Sequence, residues 1–296
     1  MREAMTGILC VDKPQNMTSF LCCAIARRCL GGAKVGHAGT LDPNATGVLP
    51  LLIGKATKAL DFLPRQDKRY VATMRFGAVS DTLDIWGAVS PTGKPLPTRE
   101  MIENTRADFT GDILQIPPMT SALKRDGVRL YDLARQGIEV DREPRPVTVH
   151  ALTVLGYDPE TGELTVDCHC SKGTYIRTLC DDWGQKLGCG AVMTALRRVE
   201  AAGFSESDCL TVDDLRARAE NGTLADAVRP LDAVFSPYPA VTVTAAQAVR
   251  FRNGGSLARE RLRTTVTGLV RVLDPDGNLL GLGSPQGDQL AIALLL

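Results

Sequence analysis

The chain has 296 residues, 34 Lys and Arg against 34 Asp and Glu, and a 44% hydrophobic share, so its formal net charge is zero. That length suffices for one large core or two domains, while no apolar run approaches the roughly 18 residues of a membrane-spanning helix and no basic-then-apolar leader with a cleavage site is recognisable. A neutral total excludes a uniformly basic nucleic-acid binder, but phosphate contacts need only local positive charge.

Residues 1–80 hold 11 Lys or Arg and 5 Asp or Glu. Lys13, Arg27, Arg28, Lys34, Lys55, Lys58, Arg65, Lys68 and Arg69 can compose a basic face, although any one of them alone reads as an ordinary solvated charge. The nine cysteines are scattered and odd in number, with Cys22 and Cys23 adjacent. That usage fits free thiols in a reducing compartment, and a cytoplasmic location is expected.

In chain order, residues 7–12 read as a first strand. Thr18 and Ser19 offer an N-cap, and Leu21, Ile25 and Cys29 carry a helix at the proper spacing to about Leu30, where Gly31-Gly32 ends it. A loop over residues 36–49 follows, with one acid, Asp42, five residues after His37. Gly36, Gly39 and Gly47 free its backbone for turns, and Asp42-Pro43 sets a turn in the middle. The apolar run 48–53 then enters a core as a buried strand. A lone carboxylate on such a loop is a common way to display a catalytic acid; the plain alternative is an Asp that only caps its turn.

Residues 55–63 read as a short helix stopped by Pro64, and 69–77 alternate like a strand. Thr98 caps a helix to Phe109 with Met101, Ile102, Thr105 and Phe109 along one side. The stretch 124–145 mixes 6 basic with 5 acidic residues, and Tyr131 and Leu133 suit a solvated helical hairpin. Residues 147–157 and 164–170 are strands joined by a turn at 158–162. Cys168-His169-Cys170 lies on the second; alternate side chains face opposite sides, so core packing is favoured over a metal site. A helix over 175–187 is closed by Gly188, and Thr211 caps another to Ala219 with acids in its first turn.

The segment 230–239 holds three prolines and reads as a linker. Beyond it come a helix over about 245–251 ended by Asn253-Gly254-Gly255, strands over 268–273 and 279–283 joined by a turn at 274–278, and a last strand over 289–295. Roughly 55 residues make a marginal core, so this β-rich piece is expected to dock on the main domain. Strands and helices mix without regular β-α-β alternation, which argues for α+β.

Several reaction classes fail on spacing. Gly54-Lys55-Ala56 has Ala where a phosphate loop needs Ser or Thr, and Leu49 stands at its upstream glycine position. No G-x-G-x-x-G run and no G-x-S-x-G elbow occur. A carboxylate glycosidase lacks a second acid in a comparable loop, Asp84 following a different kind of segment. No cofactor or metal is indicated.

Ordered blocks along the chain resemble the TruB family of pseudouridine synthases, which modify the T-loop uridine of transfer RNA. They are the 36–49 loop, Gly7-Ile8-Leu9-Cys10-Val11-Asp12-Lys13-Pro14, Asp67-Lys68-Arg69-Tyr70, Gln115-Ile116-Pro117-Pro118-Met119-Thr120-Ser121-Ala122-Leu123-Lys124, Ser171-Lys172-Gly173-Thr174-Tyr175-Ile176-Arg177 and Leu196-Arg197-Arg198. The C-terminal piece is similar to the PUA-type RNA-binding domain of such proteins. The resemblance implies an α+β fold with a pseudouridine-synthase-like mixed, largely antiparallel sheet flanked by helices. It implies a catalytic domain over 1–235, with an RNA-clamping insertion at about 115–145, and a PUA-like domain over 236–296.

The activity so implied is an RNA isomerase. It flips uridine 55 of the T loop out of its stack and converts its C–N glycosidic bond to C–C with the help of an aspartate. A TruB-like tRNA-binding and folding chaperone, with catalysis secondary or lost, is the alternative. By the same resemblance Asp42 is the catalytic acid, Tyr70 stacks on the uracil, and Arg177 pairs with the acid. Leu196 walls the pocket, His37 contacts RNA, Tyr175 packs beside the acid, and Lys13 with Pro14 supports the loop. Read from the residues alone, a core tyrosine is the commoner fate of a strand residue such as Tyr70, a surface pair with Asp181 is the preferred role of Arg177, and His37 is equally a loop-packing residue. The expected partner is the tRNA T stem-loop, with no membrane, no cofactor, no metal and a monomeric protein.

Overall fold

The computed structural model describes residues 5–125, 127–262 and 267–296. It divides into two compact units, one of Met1–Pro43, Val48–Arg65 and Phe204–Leu296, the other of Asn44–Gly47 and Gln66–Gly203. Helices and strands mix in both, as an α+β chain requires. Among the described residues no helix is long and apolar enough to cross a membrane.

In the first unit, strand Gly7–Lys13 lies between Cys209–Leu210, to which it runs parallel, and the strand that ends at Ile53. Val35–His37 pairs antiparallel with the same end, setting His37 opposite Leu51. The run from Val48 to Ile53 is wholly buried, as its unbroken apolar sequence predicts for a strand covered on both faces. Helix Ser19–Cys29 is capped by Thr18, whose hydroxyl accepts from the Leu21 amide at 3.1 Å. Its buried face is not the one expected from Leu21, Ile25 and Cys29. The small residues Ser19, Cys22, Cys23 and Ala26 are buried, while Leu21 is exposed. Small side chains let that face approach its neighbours closely, so they take the inside.

Residues 54–63 form two 3-10 turns, Gly54–Lys58 and Leu60–Phe62, in place of the single helix expected. So short a segment rarely propagates an α-helix on its own. The proline-bearing 230–239 stretch is not an open linker. Leu231–Val234 makes a helical turn, Phe235 is fully buried, and the Tyr238 hydroxyl donates to the Phe62 carbonyl at 2.9 Å. Beyond it, five strands order as Ala240–Thr242, Val270–Leu273, Leu279–Gln286, Gln289–Leu295 and Leu257–Ala258. Val241, Phe251, Val270, Val272, Leu280 and Leu290 form the buried core beneath them. Helix Ala245–Arg252 begins in a capping box of Thr244 and Gln247.

In the second unit the strand order is Ala191–Ala201, Lys68–Phe76, Glu163–Cys170, Arg145–Asp158 and Gly111–Gln115, every neighbouring pair antiparallel. Thr46 and Gly47 add a short parallel pairing against Arg197 and Arg198. The sheet is therefore mixed and largely antiparallel, as expected. Tyr70, Ala72, Met74 and Phe76 are buried at alternate positions, as are Leu164, Val166, Cys168 and Cys170. The two thiols of Cys168-His169-Cys170 thus point inward while His169 packs its ring 4.9 Å from that of His150. All nine cysteines are free thiols.

Helix Ile176–Lys186 packs on Ala191–Ala201, and Gly184 makes that approach possible, since a Cβ there would run into the Ala191 amide. Trp183 is fully buried and donates to Thr105 Oγ1 at 2.8 Å. In helix Arg99–Arg106, Thr98 is the cap and Ile102 is buried, but Met101 is 44% exposed and not part of the packed side. The 124–145 stretch is not a helical hairpin. Lys124–Arg125 and Val128–Arg129 form a small antiparallel ladder, and among the described residues of the stretch only Leu130–Arg135 is helical.

Candidate active site

Asp42 owes its position to its neighbours on either side. The Ser19 hydroxyl accepts from the Leu41 amide at 2.9 Å and donates to the Leu41 carbonyl at 3.0 Å. The Lys13 ammonium, on a fully buried side chain, donates to the carbonyls of Pro14 at 2.9 Å, Met17 at 2.7 Å and Pro43 at 2.9 Å. Three acceptors match the three protons of an ammonium. The residues before and after Asp42 are thus both held by buried side chains, and Asp42 itself is half-buried between them. His37 is half-buried at the end of its short strand, where the Ala38 amide donates to the Pro50 carbonyl at 2.9 Å.

The second unit supplies the other candidates. Tyr70 is 6% exposed and stands opposite Arg198 in the antiparallel register of Lys68–Phe76 with Ala191–Ala201. Arg198 is fully buried. Burial pushes the Tyr70 phenol up to about 12, with Arg198 acting the other way. The phenol is therefore neutral across the physiological range. Burial, followed by the charge of Arg198, holds the Lys68 ammonium below its ordinary value. Leu196 is half-buried on the same strand as Arg198, paired with Ala72.

Arg177 lies in the first turn of helix Ile176–Lys186 and is 5% exposed. It donates to the Thr82 carbonyl at 2.9 Å, to Thr120 Oγ1 at 2.5 Å and to the Thr120 carbonyl at 3.3 Å. The carboxylate of Asp84 lies 3.6 Å away. Asp84 is 8% exposed and is itself fixed by the Thr82 hydroxyl at 2.6 Å and the Trp86 amide at 3.1 Å. Arg177 is accordingly not the surface partner of Asp181 that its spacing offered. Tyr175, just before the helix, is clamped through its backbone. Its amide donates to Gln115 Oε1 at 3.0 Å, and Gln115 Nε2 donates back to its carbonyl at 3.2 Å.

Of the residues singled out in the sequence, Lys13, His37 and Asp42 fall in the first unit, and Tyr70, Tyr175, Arg177 and Leu196 in the second. The structure joins Lys13 to the Asp42 loop, and Tyr70 and Leu196 to adjacent strands. Three supporting residues had no such role in the sequence reading: Ser19, Asp84 and Gln115. Gln115 stands inside one of the blocks that carried the resemblance. Asp84 and Ser19 have no local signature, because each acts across a distance in sequence.

The fold is shared with a solved structure described as "Crystal Structure of a Cbf5-Nop10-Gar1 Complex". The likeness covers 98% of this chain and 85% of that one, with a TM-score of 0.74 and 25% identity. This sets the class as a pseudouridine-synthase-type α+β protein.

Residues 27–176 match the TruB family pseudouridylate synthase N-terminal domain, 177–236 the tRNA pseudouridylate synthase B C-terminal domain, and 238–292 the tRNA pseudouridine synthase II C-terminal region. The chain belongs to the TruB family. A relative from Aromatoleum aromaticum, named tRNA pseudouridine synthase B, is 44% identical over 290 residues, 97% of this chain and 91% of its own. Another of that name, from Syntrophotalea carbinolica, is 48% identical over 216 residues, 73% of this chain and 70% of its own.

Proposed function

We propose that the chain is a tRNA pseudouridine synthase acting on uridine 55 of the T loop, with Asp42 as its catalytic acid. The observation that supports this reading best is the double hold on Asp42. Buried Lys13 and buried Ser19 fix the residues on either side of it, as a displayed catalytic acid requires. The names carried by the relatives point to the same chemistry on the same RNA class.

In the reaction the uridine leaves its stack and enters the site. The bond between the ribose C1′ and uracil N1 breaks with the assistance of the Asp42 carboxylate. The detached base turns, a bond forms between C1′ and C5, the C5 proton passes to solvent, and N1 regains a proton. Arg177, oriented by Asp84 and Thr120, opposes the carboxylate and fixes its direction, which a planar guanidinium does better than an ammonium. Tyr70 offers a neutral ring to stack on the uracil, and Leu196 gives the pocket an apolar wall. Tyr175 packs beside the acid, and His37 touches the rearranged RNA loop. Lys13 supports the loop from behind.

Residues 115–145 act as the clamp on the T arm. There Arg129 and Arg135 lie over the Tyr131 ring at 5.7 and 5.5 Å, a mixed basic and aromatic patch suited to nucleic acid. Residues 1–235 form the catalytic domain and 236–296 the PUA-like RNA-binding domain. The enzyme works as a cytoplasmic monomer without cofactor. The test is to map modified positions in an unmodified full-length tRNA transcript and in one carrying cytidine at 55. Modification confined to position 55 supports the assignment. Modification elsewhere overturns it, and binding with refolding but no modification gives first place to the chaperone alternative.

A further inference from the structure

We infer that the exposed face of helix Ser19–Cys29 is an RNA-docking surface: Phe20 stacks against an unpaired base near the target uridine, and Arg27 and Arg28 hold neighbouring phosphates. The inference deepens the proposed function and rests on its reading of Asp42 and of an RNA substrate.

Three observations carry it. First, the helix turns its small side chains inward and its largest one outward. Ser19, Cys22, Cys23 and Ala26 are buried, while Phe20 is 78% exposed and Leu21 45%. A single apolar residue in solvent is ordinary, so the setting of Phe20 is what gives it meaning.

Secondly, the exposed residues make one continuous face. At about 100° per residue, Arg27, Phe20, Ala24, Arg28 and Leu21 follow one another around roughly a third of the helix, and all five are exposed. The aromatic end and the basic end lie about 10–12 Å apart along the axis. The helix holds no Asp or Glu. An apolar partner would leave the two guanidinium groups unmatched. A polyanion that carries aromatic bases matches both ends, by stacking at one and by charge at the other.

Thirdly, the aromatic end sits beside the acid. Ser19, the residue before Phe20, exchanges two hydrogen bonds with the backbone of Leu41, the residue before Asp42. The covalent and hydrogen-bonded path between them limits the Cα separation of Phe20 and Asp42 to about 14 Å. A base a few nucleotides from the flipped uridine can therefore reach Phe20 while the uridine occupies the site.

The experiment measures T-arm RNA affinity of the full chain for wild type, Phe20→Ala, Phe20→Leu, Phe20→Trp and the double variant Arg27→Gln with Arg28→Gln. Thermal unfolding and the single-turnover rate at saturating RNA are measured beside it. Loss of one base–aromatic stack predicts affinity about 5- to 100-fold weaker for Phe20→Ala. Phe20→Leu, apolar but without a π face, should be nearly as weak, and Phe20→Trp should bind at least as well as wild type. All three native side chains are exposed, so unfolding temperatures should not move. The rate at saturating RNA should stay near that of the wild type, as for a loss of uniform binding. In the double arginine variant the slope of log affinity against log salt should shrink by about one for each arginine.

Abasic T-arm RNAs locate the stacked base. Removing the base at one unpaired position other than the target should cancel the Phe20→Ala penalty, because neither partner of the stack then remains. Wild-type affinity in Phe20→Ala or Phe20→Leu, an unchanged salt slope, or a penalty that survives every abasic substitution overturns the inference. So does a wild-type dimer that Phe20→Ala dissociates, which assigns the face to a second copy of the chain. A wild type that binds no T-arm RNA would sink the proposed function as well.

Discussion

Replacing Lys13 by Met separates the loop-holding account from simple core packing. The change keeps the length and apolar stem of the side chain but removes its hydrogen bonds to the carbonyls of Pro14, Met17 and Pro43. Each charge-assisted bond is worth about 1.5–3 kcal/mol, and several kcal/mol of that total are offset by relief from burying an ammonium. Pro14 and Pro43 are exposed, so their carbonyls regain water, whereas Met17 is half-buried. The net cost is then about 2–4 kcal/mol, or a fall in Tm of roughly 3–6 °C for a chain of this size. Because one of the lost bonds holds the residue after Asp42, single-turnover pseudouridine formation should also fall about 10- to 100-fold at a temperature where the variant is fully folded. Thermal unfolding and single-turnover kinetics, run on the same preparation, read the two effects. A variant with reduced Tm but the wild-type rate would refute the claim that Lys13 positions the acid.

Three other outcomes are expected. Asp84→Asn removes the buried carboxylate 3.6 Å from Arg177; the rate should drop at least tenfold with little change in RNA affinity, and an unchanged rate would dissociate Asp84 from the site. Gly47→Ala forces a Cβ into the Arg198 carbonyl at a positive φ and should destabilise the fold by more than about 2 kcal/mol, measured by denaturant unfolding. On helix Ile176–Lys186, burial and then the neighbouring Asp181 raise the Asp182 carboxyl from its ordinary 3.8 to about 6. The folded state binds that proton more tightly than the unfolded state, so stability falls as pH rises through this interval. Asp182→Asn should therefore raise Tm at pH 7.5 but not at pH 4, and equal Tm gains at both would contradict the assignment.

Local signals were the most legible part of the chain. Thr18, Thr98 and Thr211 cap their helices as their side chains predict, and the last strand runs Gln289–Leu295, the residues expected. The strand Ala191–Ala201 was not legible, although it pairs with Lys68–Phe76 along almost its whole length. Its centre is Leu196-Arg197-Arg198, and no periodicity rule places an arginine at zero exposure. Glu200 and the arginines blur the alternation that marks a half-buried strand. Residues 19–29 show the converse. Their helical spacing was plain, but close packing put the small residues inside and left Leu21 in solvent.

The candidate site divides in the same way. Asp42, Tyr70, Arg177 and Lys13 stand in blocks that can be read by eye. Ser19 and Asp84 gain their meaning only from a hydroxyl or a carboxylate reaching a residue distant along the chain. Such pairings are set by register and by burial, neither of which a single sequence displays.

The most direct test of the central claim is tritium release from C5-labelled uridine in an unmodified tRNA T-arm, with wild type and Asp42→Asn compared side by side and no cofactor added. The account predicts release by the wild type alone, with both proteins binding the RNA comparably. Release by Asp42→Asn near the wild-type rate would remove Asp42 from the chemistry and contradict the account.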